Sequence, residues 1–141
     1  MKKISFSLFL FLIVIYQIKA QSNPFKIDLI NGKKDYTKIS FRLDTEGLSK
    51  FLGQDLDKKI FNIAQYANIQ LMLSMQNQLS YIPIQTGDNV IMYFEDNKVA
   101  VKLSCSAKNG IGNVIEKTYT VILNSNDYSS MDNIELYRIY D

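Results

Sequence analysis

Residues 87–105, GDNVIMYFEDNKVAVKLSC, constrain the fold more than any other stretch of the chain. Two largely apolar runs flank Asp96 and Asn97, and Asp and Asn tolerate the positive φ angles of a tight two-residue loop. Such a loop makes the runs an antiparallel hairpin. Counting outward pairs Glu95 with Lys98, Phe94 with Val99, Tyr93 with Ala100, Met92 with Val101, Ile91 with Lys102 and Val90 with Leu103. Strand side chains alternate faces, so this register collects Val90, Met92, Phe94, Val99, Val101 and Leu103 on one apolar face. The other face mixes Tyr93 and Ile91 with charged residues. A lone hairpin is marginal in water. The apolar face therefore needs a covering layer.

The rest of the chain supplies one. Phe25, Ile27 and Leu29, then Ile39, Phe41 and Leu43, alternate with polar residues on either side of residues 31–35, which predicts a second hairpin. From Thr45 the period changes. Leu48, Phe51, Leu52, Leu56, Ile60 and Ile63 recur at three- and four-residue steps, the stripe of an amphipathic helix with Asp44 or Thr45 as N-cap. Gly53 weakens that helix and divides it into two candidates. Ile69, Leu71, Leu73 and Met75 alternate again and are read as a strand, with the helix-to-strand boundary near residues 64–68. Pro83 restricts residues 81–84 to an edge strand. Beyond the central hairpin, residues 108–112 form a turn. A bulge at Gly112, favoured over a wider loop, then aligns Val101 with Tyr119, and Ile115, Tyr119, Val121 and Leu123 share one face with Lys117. Residues 125–132 hold a short helical turn and residues 134–140 a final strand.

Ahead of all this, Lys2 and Lys3 precede an apolar run, Ile4 to Ile18, which gives way to polar sequence after Lys19 and Ala20. This is the pattern of a secretory signal peptide over residues 1–20; an uncleaved membrane anchor would need ~20 apolar residues. The domain is then residues 21–141, one α+β unit: a mostly antiparallel β-sheet with one amphipathic helix packed on one face. Removing the leader takes three of the sixteen basic residues, leaving thirteen against fourteen acidic, a formal charge of −1. That balance is not the basic footprint of a nucleic-acid binder. The single cysteine, Cys105, has no partner for an internal disulfide and continues the inward parity of Val99, Val101 and Leu103. It reads as a small buried apolar residue.

The sequence contains no histidine, which removes Ser-His-Asp and Cys-His catalysis and imidazole metal sites together. The acidic pairs Asp44 with Glu46, Asp55 with Asp57, and Glu95 with Asp96 are close in sequence, where capping, solvation and turn chemistry use them. A calcium loop starting at Asp55 fails at its sixth and twelfth positions, Ile60 and Tyr66. No cofactor or metal is expected. The sequence holds nine tyrosines, eight of them beyond the leader, which offer amphipathic contact surface. Tyr81 beside Pro83, Tyr93 on the outer hairpin face, and Tyr137 and Tyr140 near the C-terminus are the candidate ligand or partner residues.

GDNVIMYFEDNKVAVKL, followed by YTVILNSNDYSSMDNIELYRIYD, resembles small exported bacterial β-rich proteins of unassigned function, which share a hairpin with a Phe-x-Asp-x turn, a Tyr-led strand, a short helical turn and a last strand ending in Arg-Ile. Asn97 departs from that pattern, in which glycine is commoner. The resemblance implies a strand order and no activity.

These observations lead to an exported, non-catalytic binding or structural accessory in the bacterial envelope, periplasm or extracellular space. Its partner is expected to be a protein or a glycan, with no nucleic acid and no membrane span in the mature chain. Two other readings remain: an inhibitor or immunity-type protein against a secreted enzyme or toxin, and a hydrolase working with carboxylates alone.

Overall fold

The computed structural model describes residues 24–141; the expected signal peptide, residues 1–20, lies outside the described residues. Strands β1 (Phe25–Ile30) and β2 (Tyr36–Leu43) pair antiparallel as the alternation predicts, with Ile27 opposite Ile39. Asn31 shapes their connection, its side-chain oxygen accepting the Lys33 and Asp35 amides at 2.9 and 3.1 Å. Asp44 then caps helix α1 (Thr45–Leu52), accepting the Gly47 amide at 3.1 Å. Gly53, at φ 68, ends α1 in a conformation that L side chains rarely adopt. The amphipathic segment is thus two helices, divided at Gly53.

Helix α2 spans Leu56–Leu73, which corrects the reading of residues 69–75 as a strand. Ile60, Ile63, Ala64, Ala67 and Leu71 are buried at helical spacing, so the three-to-four period runs through the segment whose local alternation imitates a strand. Leu and Met favour helix as well. Asn62, Gln65 and Asn68 set three amides at three-residue spacing along the same helix. Asn62 donates to the Tyr128 carbonyl (3.0 Å), Gln65 to the Asp28 carbonyl (2.7 Å) and Asn68 to the Ile30 carbonyl (2.8 Å). The last two seal the outer edge of β1, where an unpaired backbone would otherwise invite another strand.

Strands β3 (Ile82–Pro83), β4 (Val90–Glu95), β5 (Lys98–Lys108), β6 (Val114–Asn124) and β7 (Glu135–Tyr140) complete the described structure. The sheet order is β1-β2-β4-β5-β6-β7, with β3 attached to β5. All neighbours are antiparallel except β2 and β4, which run parallel because the helices carry the chain back between them. Strands β3 and β4 follow one another along the same side of β5. Asn89 bridges the gap between them, accepting the Ser104 amide at 2.9 Å and donating to the Ile84 carbonyl at 3.0 Å.

The central hairpin turns at Asp96 and Asn97, but its register differs from the expected one. A bulge between Tyr93 and Glu95 sets Tyr93 opposite Val99, Ile91 opposite Val101 and Val90 opposite Lys102. Ile91 and Tyr93 therefore join Val99, Val101 and Leu103 in the main core beneath the helices. Val90 and Met92 turn to the other face, where with Ala100 and Ile122 they form a second buried cluster against Phe94 and Tyr140. The cause is degeneracy: in a run apolar at every position, alternation cannot choose a face. The β5–β6 loop is also wider than expected, residues 109–113, placing Val101 opposite Val121 and Leu103 opposite Tyr119. The shift of two keeps Val121 and Leu123 in the main core as predicted, with Tyr119 packed against it.

Candidate functional site

Of the four tyrosines singled out from the sequence, the structure places one on an open surface. Tyr81 is fully buried, its hydroxyl donating to the Asn68 side-chain oxygen at 2.8 Å. Burial is also what raises its pKa, with the Cys105 sulfur adding to the shift. It is a core strut joining α2 to the segment before β3, and its role as a surface residue is corrected. Tyr93 faces the helices rather than outward, a consequence of the bulge, and its ring lies 4.8 Å from that of Phe51 on α1. Tyr140 is half-buried against the second cluster. Tyr137 alone is open, 59% exposed, with the Lys98 ammonium 4.9 Å from its ring centre. The four do not form one surface.

Cys105 is buried as expected, and burial pushes its thiol up to about 12. A thiol held protonated is a poor nucleophile and a poor ligand. It borders a recess of about 210 Å³ between the end of α2 and strands β5 and β6, together with Met75, Ala107, Ile115 and Tyr119. Three members of the acidic pairs act locally. Asp44 caps α1, Glu46 bonds Lys50 at 2.9 Å, and Asp96 lies 3.8 Å from Lys98. Among the described residues no three acidic or sulfur ligands gather as a metal site would require.

The site with the best geometry was not singled out from the sequence. An open groove of about 480 Å³ runs between the first hairpin and α2. Tyr36 of β2, Phe61 of α2 and Met131 of the 3-10 turn Met131–Asn133 line it, being 68%, 46% and 37% exposed. Ile30 and Ile69 complete its apolar wall, and Gln65 is tied into its floor by the bond to the Asp28 carbonyl. Asp28 is the one carboxylate among the residues that line the groove. The groove is shaped to take apolar groups and to orient them with the polar atoms of Asp28 and Gln65. One sequence signal points to it: Phe61 falls off the buried stripe of α2, an aromatic on the solvent side of an amphipathic helix. Tyr36 and Met131 reach the groove only through the fold. Comparison with family models, curated proteins and solved structures finds no match for this chain.

Proposed function

We propose that this chain is an exported, non-catalytic binding module of the bacterial envelope or its surroundings, and that its partner, a protein, inserts apolar side chains into the groove between β1–β2 and α2. The observation that carries the reading is the convergence of Tyr36, Phe61 and Met131, exposed at 68%, 46% and 37%, from three separate elements onto one groove. Large apolar side chains gathered at a concave surface mark interaction sites, whereas single ones are ordinary. The local engagement of Asp44, Glu46 and Asp96 and the absence of histidine from the sequence support a non-catalytic role.

The test is a capture experiment on the exported protein recovered from cells producing the full chain, with Tyr36→Ser/Phe61→Ser as the comparison. A stoichiometric partner retained by the unsubstituted protein and lost from the double variant is the expected result. Identical capture by both proteins, or a mature chain that hydrolyses a polymeric substrate, overturns it. Sequencing the exported protein from its first residue checks the leader; Gln21 is the expected start.

A further inference from the structure

One end of the molecule is built from bare aliphatic loop tips. The β1–β2 turn (residues 31–35), the end of α2 with the loop after it (residues 73–80) and the β5–β6 loop (residues 107–115) meet there. They are fastened to one another: the Gly32 amide donates to the Tyr81 carbonyl at 2.8 Å, and the Lys108 amide to the Ser80 hydroxyl at 2.7 Å. A recess lined by residues 76–79 and 109–110 lies between two of the loops. On this frame Leu73, Leu79, Ile111, Val114 and Ile115 are 53%, 72%, 83%, 60% and 46% exposed.

The exposure is built in. The Asn109 side-chain oxygen accepts the Ile111 and Asn113 amides at 3.1 and 2.9 Å, and Gly112 takes a φ of 85 to close the turn. Ile111 is therefore held outward by a defined loop. Asn77 does the same beside Leu79, accepting the Ser80 amide at 3.2 Å. Burying no partner, each of these side chains costs solubility.

Lysines outnumber carboxylates at this end. The three segments carry Lys33, Lys34 and Lys108 against Asp35, with Glu116 directly after Ile115. The opposite end comprises residues 44–59, 95–98 and 125–135, and carries nine carboxylates against Lys50, Lys58, Lys59 and Lys98. The chain is thus polar along its length, with aliphatic tips among lysines at one end and a dense acidic cap at the other.

We propose that the aliphatic end docks onto an anionic lipid surface, Leu79 and Ile111 entering the headgroup layer while Lys33, Lys34 and Lys108 meet lipid phosphates. Apolar tips interspersed with lysines suit an anionic interface, and the acidic end points away from it by repulsion. This binding is peripheral and separate from the groove.

The experiment is co-sedimentation of the exported protein, recovered from cells producing the full chain, with vesicles of phosphatidylglycerol and phosphatidylcholine at two salt concentrations. The expected result is binding to phosphatidylglycerol vesicles that weakens with salt. Each of Lys33→Gln, Lys34→Gln and Lys108→Gln should weaken it about fivefold. Leu79→Ser/Ile111→Ser should weaken it at least about tenfold while leaving thermal unfolding in place, because both residues are exposed. Three results overturn the proposal: no vesicle binding, binding indifferent to the tip substitutions, or tips that contact only a captured protein.

Discussion

The two ends of this molecule handle the same kinds of residue in opposite ways. At the acidic end the aromatic groups are folded inward: Phe51 lies 4.8 Å from Tyr93 and 5.9 Å from Tyr128, ring centre to ring centre. Tyr128 is buried, and its hydroxyl reaches the Asn97 and Leu123 carbonyls at 2.6 and 3.2 Å, fastening the central turn to the connection before β7. The carboxylates around it cap a helix, pair with lysines and close turns. At the other end the loops are fastened equally well by Asn77, Ser80 and Asn109, yet their aliphatic groups face solvent. Polar fastening without apolar burial fixes shape without drawing stability from the hydrophobic effect. The acidic end thus contributes to stability, and the aliphatic end keeps surface free for contact.

Substitutions at the two ends should separate these roles. The largest effect belongs to Tyr128→Ala, which removes a buried ring and two hydrogen bonds and should destabilise by ~4 kcal/mol in urea unfolding. A loss below about 1 kcal/mol would show that the aromatic cluster does not anchor that end. Asn68→Ala lies on the seam between core and aliphatic end. It leaves the Ile30 carbonyl and the Tyr81 hydroxyl without their partner, so a loss of about 2 kcal/mol is expected. Asp44→Ala deletes the α1 cap and should destabilise by about 1 kcal/mol, with Asp44→Asn largely rescuing it. Leu79→Ser/Ile111→Ser should change stability by less than about 0.5 kcal/mol per site; a larger loss would mean that the tips belong to the core after all.

Acidification should give the smallest effect, and its sign follows from the acidic end and the C-terminus. The Lys50 ammonium holds Glu46 below its ordinary value, Ser129 does so for Asp127, and Lys117 for Asp141. Folded-state values below the unfolded ones mean that the contribution is present above the ordinary carboxylate values, 4.5 for glutamate and 3.8 for aspartate. It is lost as pH falls through the lowered ones. All three groups are exposed, so salt screens the effect. Unfolding curves that do not move between pH 6 and pH 3 in low salt would remove these contacts from the account.

The first hairpin was legible because its two faces differ: Ile27 and Leu29 alternate with Lys26 and Asp28, and only one register hides the apolar set. The central hairpin was legible as a hairpin but not in register, because Val90, Ile91, Met92, Tyr93 and Phe94 offer an apolar side chain to either face. Tyr81 misled for a related reason. A tyrosine beside a proline has the composition of a surface turn, and only the acceptor on Asn68, thirteen residues earlier on a helix read as a possible strand, makes a buried hydroxyl affordable. The groove is not legible in the sequence because Tyr36, Phe61 and Met131 are far apart in the chain.

Local chemistry alone thus determined that this chain holds strand pairs flanking an amphipathic helical segment with a cap at Asp44, a break at Gly53 and a buried thiol. Each of these depends on neighbours within a few residues, where backbone preference and side-chain period act directly. Tertiary packing decided the bulge before Glu95, the continuation of α2 to Leu73, the burial of Tyr81 and the meeting of three distant residues at one groove. Those outcomes turn on which of two equally apolar surfaces is covered and which distant acceptor lies within hydrogen-bond reach, and a single segment cannot express either.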